Sequence, residues 1–186
     1  LQQTVIEAIY ALREQGRSRI AFIGGDGHMM GSHVFAQDPR TVAFDEWTRL
    51  LHMDAEGLTR ASGAFTVENG RRQSEELLDA VGDELPDAIL VAADSLAVGV
   101  LQTLFARRVR VPDRVAVLSI DNLEICEYTA PPLSSYAIES SELAETALML
   151  LSDSIVGRFR HKHHILLSTR LVARQSFLPA EDVPES

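Results

Sequence analysis

Two short apolar runs, AILVA at residues 88–92 and VAVLSI at residues 115–120, constrain this chain more than anything else in it. Unbroken apolar runs of this length suit strands covered on both faces, not strands with one wet side. The stretch between them has room for one helix and a turn. Leu96, Val100, Leu101, Leu104 and Phe105 recur there at helical spacing, so they are expected on one apolar side. Asp94 stands where an N-cap would stand. Arg107 and Arg108 fall in the expected last turn, where cations suit the helix dipole. Pro112 and Asp113 make a turn before the second run. Strand, crossover helix and strand at this spacing predict a right-handed βαβ unit of a parallel sheet, and so an α/β fold. In such sheets ligands bind beyond the carboxyl ends of the strands. Asp94 and Asp121 each follow a strand directly, which puts two carboxylates at that edge.

The flanking sequence supplies further elements. Residues 4–15 read as an amphipathic helix with Val5, Ile6, Ile9 and Leu12 on its apolar side, ended by Gly16. Residues 20–23 read as a strand. Residues 26–37 carry Gly27, Gly31, His28 and His33 without periodicity and read as a loop. Asp38 is a good N-cap and Pro39 suits the first helical position. The helix they start is expected to reach about His52, burying Val42 or Ala43 with Trp47, Leu50 and Leu51. Gly57 and Gly63 bracket a short strand. Thr66 caps a helix that carries Leu77, Leu78 and Val81 to Gly82. Past Pro131 and Pro132, residues 134–138 read as an extended crossover. Ser140 or Ser141 caps a helix to about Val156, with Leu143, Ala147, Leu150, Leu151 and Ile155 apolar and Gly157 ending it. Residues 165–168 and 171–175 read as two short strands. The tail, residues 180–186, is acidic and expected to fray.

Composition narrows the classes of function. The 186 residues suffice for one domain with a sizeable core. A formal net charge of −10 argues against nucleic-acid binding by this segment, which would need a basic face for phosphates. No apolar run approaches the ~20 residues of a membrane span, so no membrane partner is expected. The single Cys126 excludes an intramolecular disulfide and fits a reducing, cytoplasmic setting. The chain starts without Met and inside a helix, and is therefore expected to be a piece of a longer protein.

Three motifs in order, AADSLAVGVLQTL from residue 92, RVPDRVAVLSIDN from residue 110 and EYTAPPLSS from residue 127, resemble the effector-binding domain of LacI/GalR-type bacterial transcription repressors. The resemblance extends, more weakly, over most of the chain. The segment DPRTVAF, residues 38–44, links it to the branch that includes the evolved-β-galactosidase repressor. The resemblance implies a periplasmic-binding-protein-like (type I) fold: two α/β lobes, crossed three times by the chain, with a small effector between them. It implies that residues 1–135 are the C-terminal lobe and residues 136–164 a crossover and helix of the N-terminal lobe, the rest of which is absent. Residues 165–186 would be the returning strands and tail. Operator DNA would be bound only through a helix-turn-helix outside this chain. A homodimer is implied through Val98, Leu101, Leu123, Ile125 and Tyr128. The effector would be a sugar, a galactoside before others.

The same resemblance nominates ligand-facing residues. Arg40 matches an Arg that reaches into the cleft, where its planar donor fork suits vicinal hydroxyls or a carboxylate; a solvated surface Arg is the other reading. Asp121 matches an acceptor of effector hydrogen bonds, though Asp-Asn is also ordinary turn composition. Phe65 matches an aromatic ring that stacks on the sugar, or is a core Phe at a strand end. Ala93 and Ser95 occupy ligand-facing positions, Ala93 where relatives often carry Asn. Ile138 falls where relatives often carry Gln. Asp94 is expected to be a cap or to support the site from behind.

Other signals are weaker. Gly24, Gly25, Gly27 and Gly31 do not make the G-x-G-x-x-G spacing of a dinucleotide site. His161, His163 and His164 have no Cys or carboxylate nearby in sequence to complete a metal set. No G-x-S-x-G elbow is present, and no cofactor or enzymatic activity is expected. Two other functions compete with a repressor's sensing domain: the solute-binding protein of a transporter, and a small α/β enzyme acting on a nucleotide or sugar phosphate.

Overall fold

The structure, a computed structural model, describes residues 1–26, 37–158, 161, 163 and 165–178. The loop glycines and histidines between residues 27 and 36, His164 and the acidic tail lie outside the described residues. The elements are α1 (Gln2–Glu14), β1 (Ile20–Gly24), α2 (Pro39–Leu50), β2 (Thr59–Ala61), α3 (Val67–Val81), β3 (Ala88–Val91), α4 (Asp94–Ala106), β4 (Ala116–Asp121), α5 (Ile125–Tyr128), β5 (Ser134–Ala137), α6 (Ser140–Ile155) and β6 (Arg170–Val172). The strands form one sheet in the order β2-β1-β3-β4-β5-β6. The first five run parallel, and β6 is antiparallel to β5.

Alternation along the strands sorts side chains into two apolar layers. Ile20, Phe22, Leu90 and Leu118 meet α1 and α2 on one side. Ala21, Ile23, Ile89, Val91 and Val117 meet α3 and α4 on the other. Both faces are covered, which is why these strands read as continuous apolar runs. Helix α1 buries Val5, Ala8, Ile9 and Leu12, and α2 buries Ala43 and Phe44. Thr66 caps α3 by accepting from the Asn69 N–H at 3.2 Å. Helices α3 and α4 press backbone to backbone where Gly70 and Gly99 meet. A Cβ added to Gly99 would lie 2.1 Å from the Val67 carbonyl oxygen, and one added to Gly70 would lie 2.1 Å from that of Leu96.

Several expectations need correction. Phe105 is 80% exposed, because it sits outside the apolar side that Leu96, Val100, Leu101 and Leu104 turn to the sheet. Leu50 is also exposed, and Val42 is exposed where Ala43 is buried. Arg107 and Arg108 stand beyond the helix: Arg107 is its C-cap and Arg108 has φ 57°. Residues 134–138 are not merely an extended connection, since Ser134–Ala137 is the fully buried fifth strand, paired with β4. The start of α6 has Glu139 in the cap position and no side-chain cap bond, so neither Ser140 nor Ser141 caps it. Residues 165–168 form no strand, and the returning strand is only Arg170–Val172. No residue of α6 is buried.

Candidate functional site

Strand β1 lies between β2 and β3, so the helices that follow β1 and β3 leave the sheet on opposite sides. The crevice at this switch of direction, beyond the carboxyl ends of the strands, is where open α/β sheets bind ligands. Gly25, Phe65, Ala93 and Ile138 follow the ends of β1, β2, β3 and β5, Asp121 is the last residue of β4, and Arg40 enters from the first turn of α2.

Arg40 is held from three directions. Its Nε donates to Asp38 Oδ1 at 2.9 Å and its Nη2 to Asp38 Oδ2 at 2.7 Å, while Nη1 donates to the Ala92 carbonyl at 2.7 Å. Asp38 also accepts from the Arg40 backbone N–H at 2.8 Å, so one carboxylate caps the helix and orients the guanidinium. Burial alone would raise the Asp38 carboxyl, but the hydrogen bonds and charge of Arg40 outweigh it and hold it below the usual carboxylate range. A cation in a first helical turn is mildly unfavourable, and this pairing compensates it. The Arg40 side chain is only 12% exposed, which excludes the solvated surface reading. A guanidinium has five N–H groups; one on Nη1 and one on Nη2 remain without an acceptor among the described residues.

The guanidinium lies 4.7 Å from the centre of the Phe65 ring. Gly25 backs the same ring: a Cβ there would come within 2.8 Å of it. Phe65 is half-buried and touches both apolar layers, so it belongs to the core margin and to the crevice at once. Ser95 donates to the Phe65 carbonyl at 2.9 Å and thereby fixes the loop before α3. Ala93 is nearly buried in the cap position of α4, and Ile138 is half-buried against the α1–α2 layer.

Asp94 corrects a sequence expectation. It is the first residue of α4 and makes no cap bond. Its carboxylate, 0% exposed, crosses to the loop after β4 and accepts from Leu123 N at 2.6 Å and Ser135 Oγ at 2.7 Å. Ser135 Oγ in turn accepts from Asn122 N at 3.0 Å. Asp94 thus ties the start of α4 to the loop after β4 and to β5. The supported turn is unusual: Asp121 has φ 117° and Asn122 φ 54°. Consecutive left-handed residues without glycine store strain and persist only where their surroundings hold them. Burial first, then the charge of Asp94, raise the Asp121 carboxyl to about 6, with Arg40 and the Asp94 backbone opposing the rise. Burial, and then a hydrogen bond to Asp94, push the Cys126 thiol up as well.

On the flank away from the crevice, two grooves of about 660 and 390 Å³ share Leu101, Phe105 and Ala130. Val98, Ile125 and Tyr128 line the second. Leu101 is 4% exposed and forms a floor, while Leu123, Ile125 and Tyr128 are 51%, 44% and 71% exposed. The sequence reading missed Asp38 as partner of Arg40, although an acid two residues before an Arg at a helix start was a usable signal. It missed Ser135 too, whose partner Asp94 is remote in sequence. Among the described residues no cluster of His, Cys, Asp and Glu is set to hold a metal, and no helix is long and apolar enough to cross a membrane.

Residues 9–177 match the family described as periplasmic binding protein-like domain. The chain belongs to that family. Within it, the chain is 38% identical over 178 residues to the HTH-type transcriptional regulator LacR of Lactobacillus helveticus, covering 96% of this chain and 52% of that protein. It is 32% identical to GanR of Bacillus subtilis, covering 95% and 53%. It therefore spans about half the length of the curated relatives it matches. Among solved family structures, a LacI family regulator from Arthrobacter in complex with lactose superposes with a TM-score of 0.81 at 26% identity, covering 95% of this chain and 64% of that one. One from Lactobacillus casei with bound sucrose gives 0.74 at 26%, covering 94% and 62%. These relatives bear out the LacI/GalR resemblance and the mostly parallel, helix-flanked fold.

Proposed function

We propose that the chain is the effector-sensing part of a LacI/GalR-type transcription regulator and binds a small sugar in the crevice at the carboxyl edge of its sheet. The observation that carries this reading is Arg40. Its guanidinium is oriented by Asp38 and Ala92, lies over Phe65, and has two N–H groups without an acceptor among the described residues. A fixed donor fork beside an aromatic face suits the vicinal hydroxyls and apolar ring faces of a sugar. Asp121, raised at the end of β4, is the complementary acceptor. Similar regulators solved with lactose and sucrose support the ligand class, and the DPRTVAF segment favours a galactoside.

In this reading residues 1–135 are the C-terminal lobe and residues 136–164 a crossover and a helix of the N-terminal lobe, whose other elements lie outside this chain. Residues 165–186 return to the first lobe. The bare surface of α6 suits a helix made to be covered by that second lobe. A homodimer forms through Val98, Leu101, Leu123, Ile125 and Tyr128 in the cytoplasm. Operator DNA is bound by a separate domain. The chain is a regulator and not an enzyme: effector binding shifts the lobes between two arrangements and alters operator affinity through its differential affinity for them. Calorimetry of the full-length protein with lactose, glucose, sucrose and a purine nucleoside tests the reading. Binding of at least one sugar, lactose ahead of the others, is expected; tight binding of the purine and of no sugar would sink it.

A further inference from the structure

Arg174 follows β6, on the segment that returns to the sheet after α6, far in sequence from every residue considered above for the crevice. Its side chain is 15% exposed. Its Nη1 donates to Asn122 Oδ1 at 2.9 Å and to the Leu133 carbonyl at 2.9 Å, and its Nη2 lies 3.5 Å from Glu127 Oε1. Its backbone is fixed as well: the Arg174 N–H donates to Ser134 Oγ at 2.7 Å, and that hydroxyl donates to the Arg174 carbonyl at 2.8 Å. A planar fork on an anchored backbone reaches acceptors on the loop after β4, on the approach to β5 and on α5 together. The loop it reaches is the left-handed Asp121–Asn122 turn. Asp94 and Ser135 hold that turn through the backbone of Leu123 and Asn122. Arg174 alone, among the described residues, grips the Asn122 side chain.

We propose that Arg174 is a positioning residue for the crevice: by clamping Asn122 it keeps the strained turn closed and the Asp121 carboxylate where an effector meets it. The inference rests on the reading of the crevice as an effector site. It makes the returning segment part of the sensor: chain that has been to the other lobe and back fixes a residue of the binding edge. A shift of that segment reaches the Asn122 side chain through Arg174.

The groups that face Asp121 are Asp94 at the start of α4, Arg40 on α2 and the Cys126 thiol on α5. Of these, the Cys126 thiol also feels the Arg174 charge; Arg174→Lys keeps that charge, so in that variant the titration of Asp121 reports on the turn. The experiment is a carboxyl-carbon NMR titration of Asp121 in the ligand-free full-length protein, comparing wild type with Arg174→Ala and Arg174→Lys, followed by calorimetry with lactose. In folded variants the Asp121 midpoint should fall by about one unit toward the ordinary carboxylate range, as the turn opens to water. Lactose affinity should fall roughly tenfold. A midpoint unchanged in a folded variant overturns the proposal, and so does a lowered midpoint with unchanged lactose affinity. Should Arg174→Ala not fold, Arg174→Lys carries the test, since it keeps the cation and the stem but cannot span the acceptors. If wild type binds no lactose, the sugar reading is what fails, and the ligand-free titration still decides on Arg174.

Discussion

Arg40 shows how far one side chain can be argued from its neighbours in sequence. Asp38, Pro39 and Arg40 begin a helix, and the same three residues create a capped, oriented guanidinium. What the sequence could not display is the Ala92 carbonyl, brought in by a strand more than fifty positions away. Asp121 was legible as a carboxylate at a strand end, but its left-handed backbone was not, because nothing in Asp-Asn distinguishes a strained turn from a common one. Its raised carboxyl has a consequence for stability. A folded-state value of about 6 against the usual 3.8 means that the fold favours protonated Asp121, so stability is lost as pH rises from about 4 to about 6. Asp121→Asn removes the unfavourable charge and suits a positive φ. Thermal melts should rise by roughly 2–4 °C at pH 7.5, small because the group is partly solvated, and hardly at all at pH 4. The same substitution should weaken effector binding at pH 7.5. In wild type, effector affinity should decline as pH drops through about 6; a flat profile between pH 5 and 8 would count against Asp121 as an acceptor.

The central βαβ unit was readable because its strands are covered on both faces and its helix carries a clear apolar side. β5 was not, because Ser134 and Ser135 look like loop residues. Both hydroxyls are used up inside the fold, one on the Arg174 backbone and one on Asp94, which lets two serines lie fully buried in a strand. Phe105 misled for the opposite reason: it stands four residues after Leu101, yet falls outside the side that Leu96, Val100 and Leu104 turn to the sheet. The contact between α3 and α4 was also hidden, since a helical Gly signals little until a second backbone lies against it. Gly99→Ala tests that packing. On helix propensity alone it should stabilise by roughly 1 kcal/mol. The Val67 carbonyl leaves a Cβ no room, so the helices must part, at a net cost of about 1–3 kcal/mol or more. Urea unfolding should show a lower midpoint; an unchanged or higher one would mean that the helices separate freely.

For the molecule entire, the acidic balance and the grooved flank make separate predictions. With a net charge of −10, the segment alone should show no sequence-specific operator shift in a gel at physiological salt. A shift competed by one sequence only would overturn that. Exposed Phe105, Ile125 and Tyr128 and the bare α6 leave apolar surface that a monomer would keep wet. Sedimentation at micromolar concentration should therefore show dimers or larger species, and Tyr128→Asp should shift them toward monomer. The most direct measurement is operator release by lactose from the full-length regulator, wild type against Arg40→Ala. A hydrogen bond from a charged donor contributes on the order of 1.5–3 kcal/mol, so half-release should need roughly tenfold to a hundredfold more sugar in the variant. Operator affinity without sugar should stay close to wild type, because in the proposed reading the DNA contacts are made by a separate domain. Release of Arg40→Ala at the wild-type sugar concentration would contradict the assignment of the effector to this crevice.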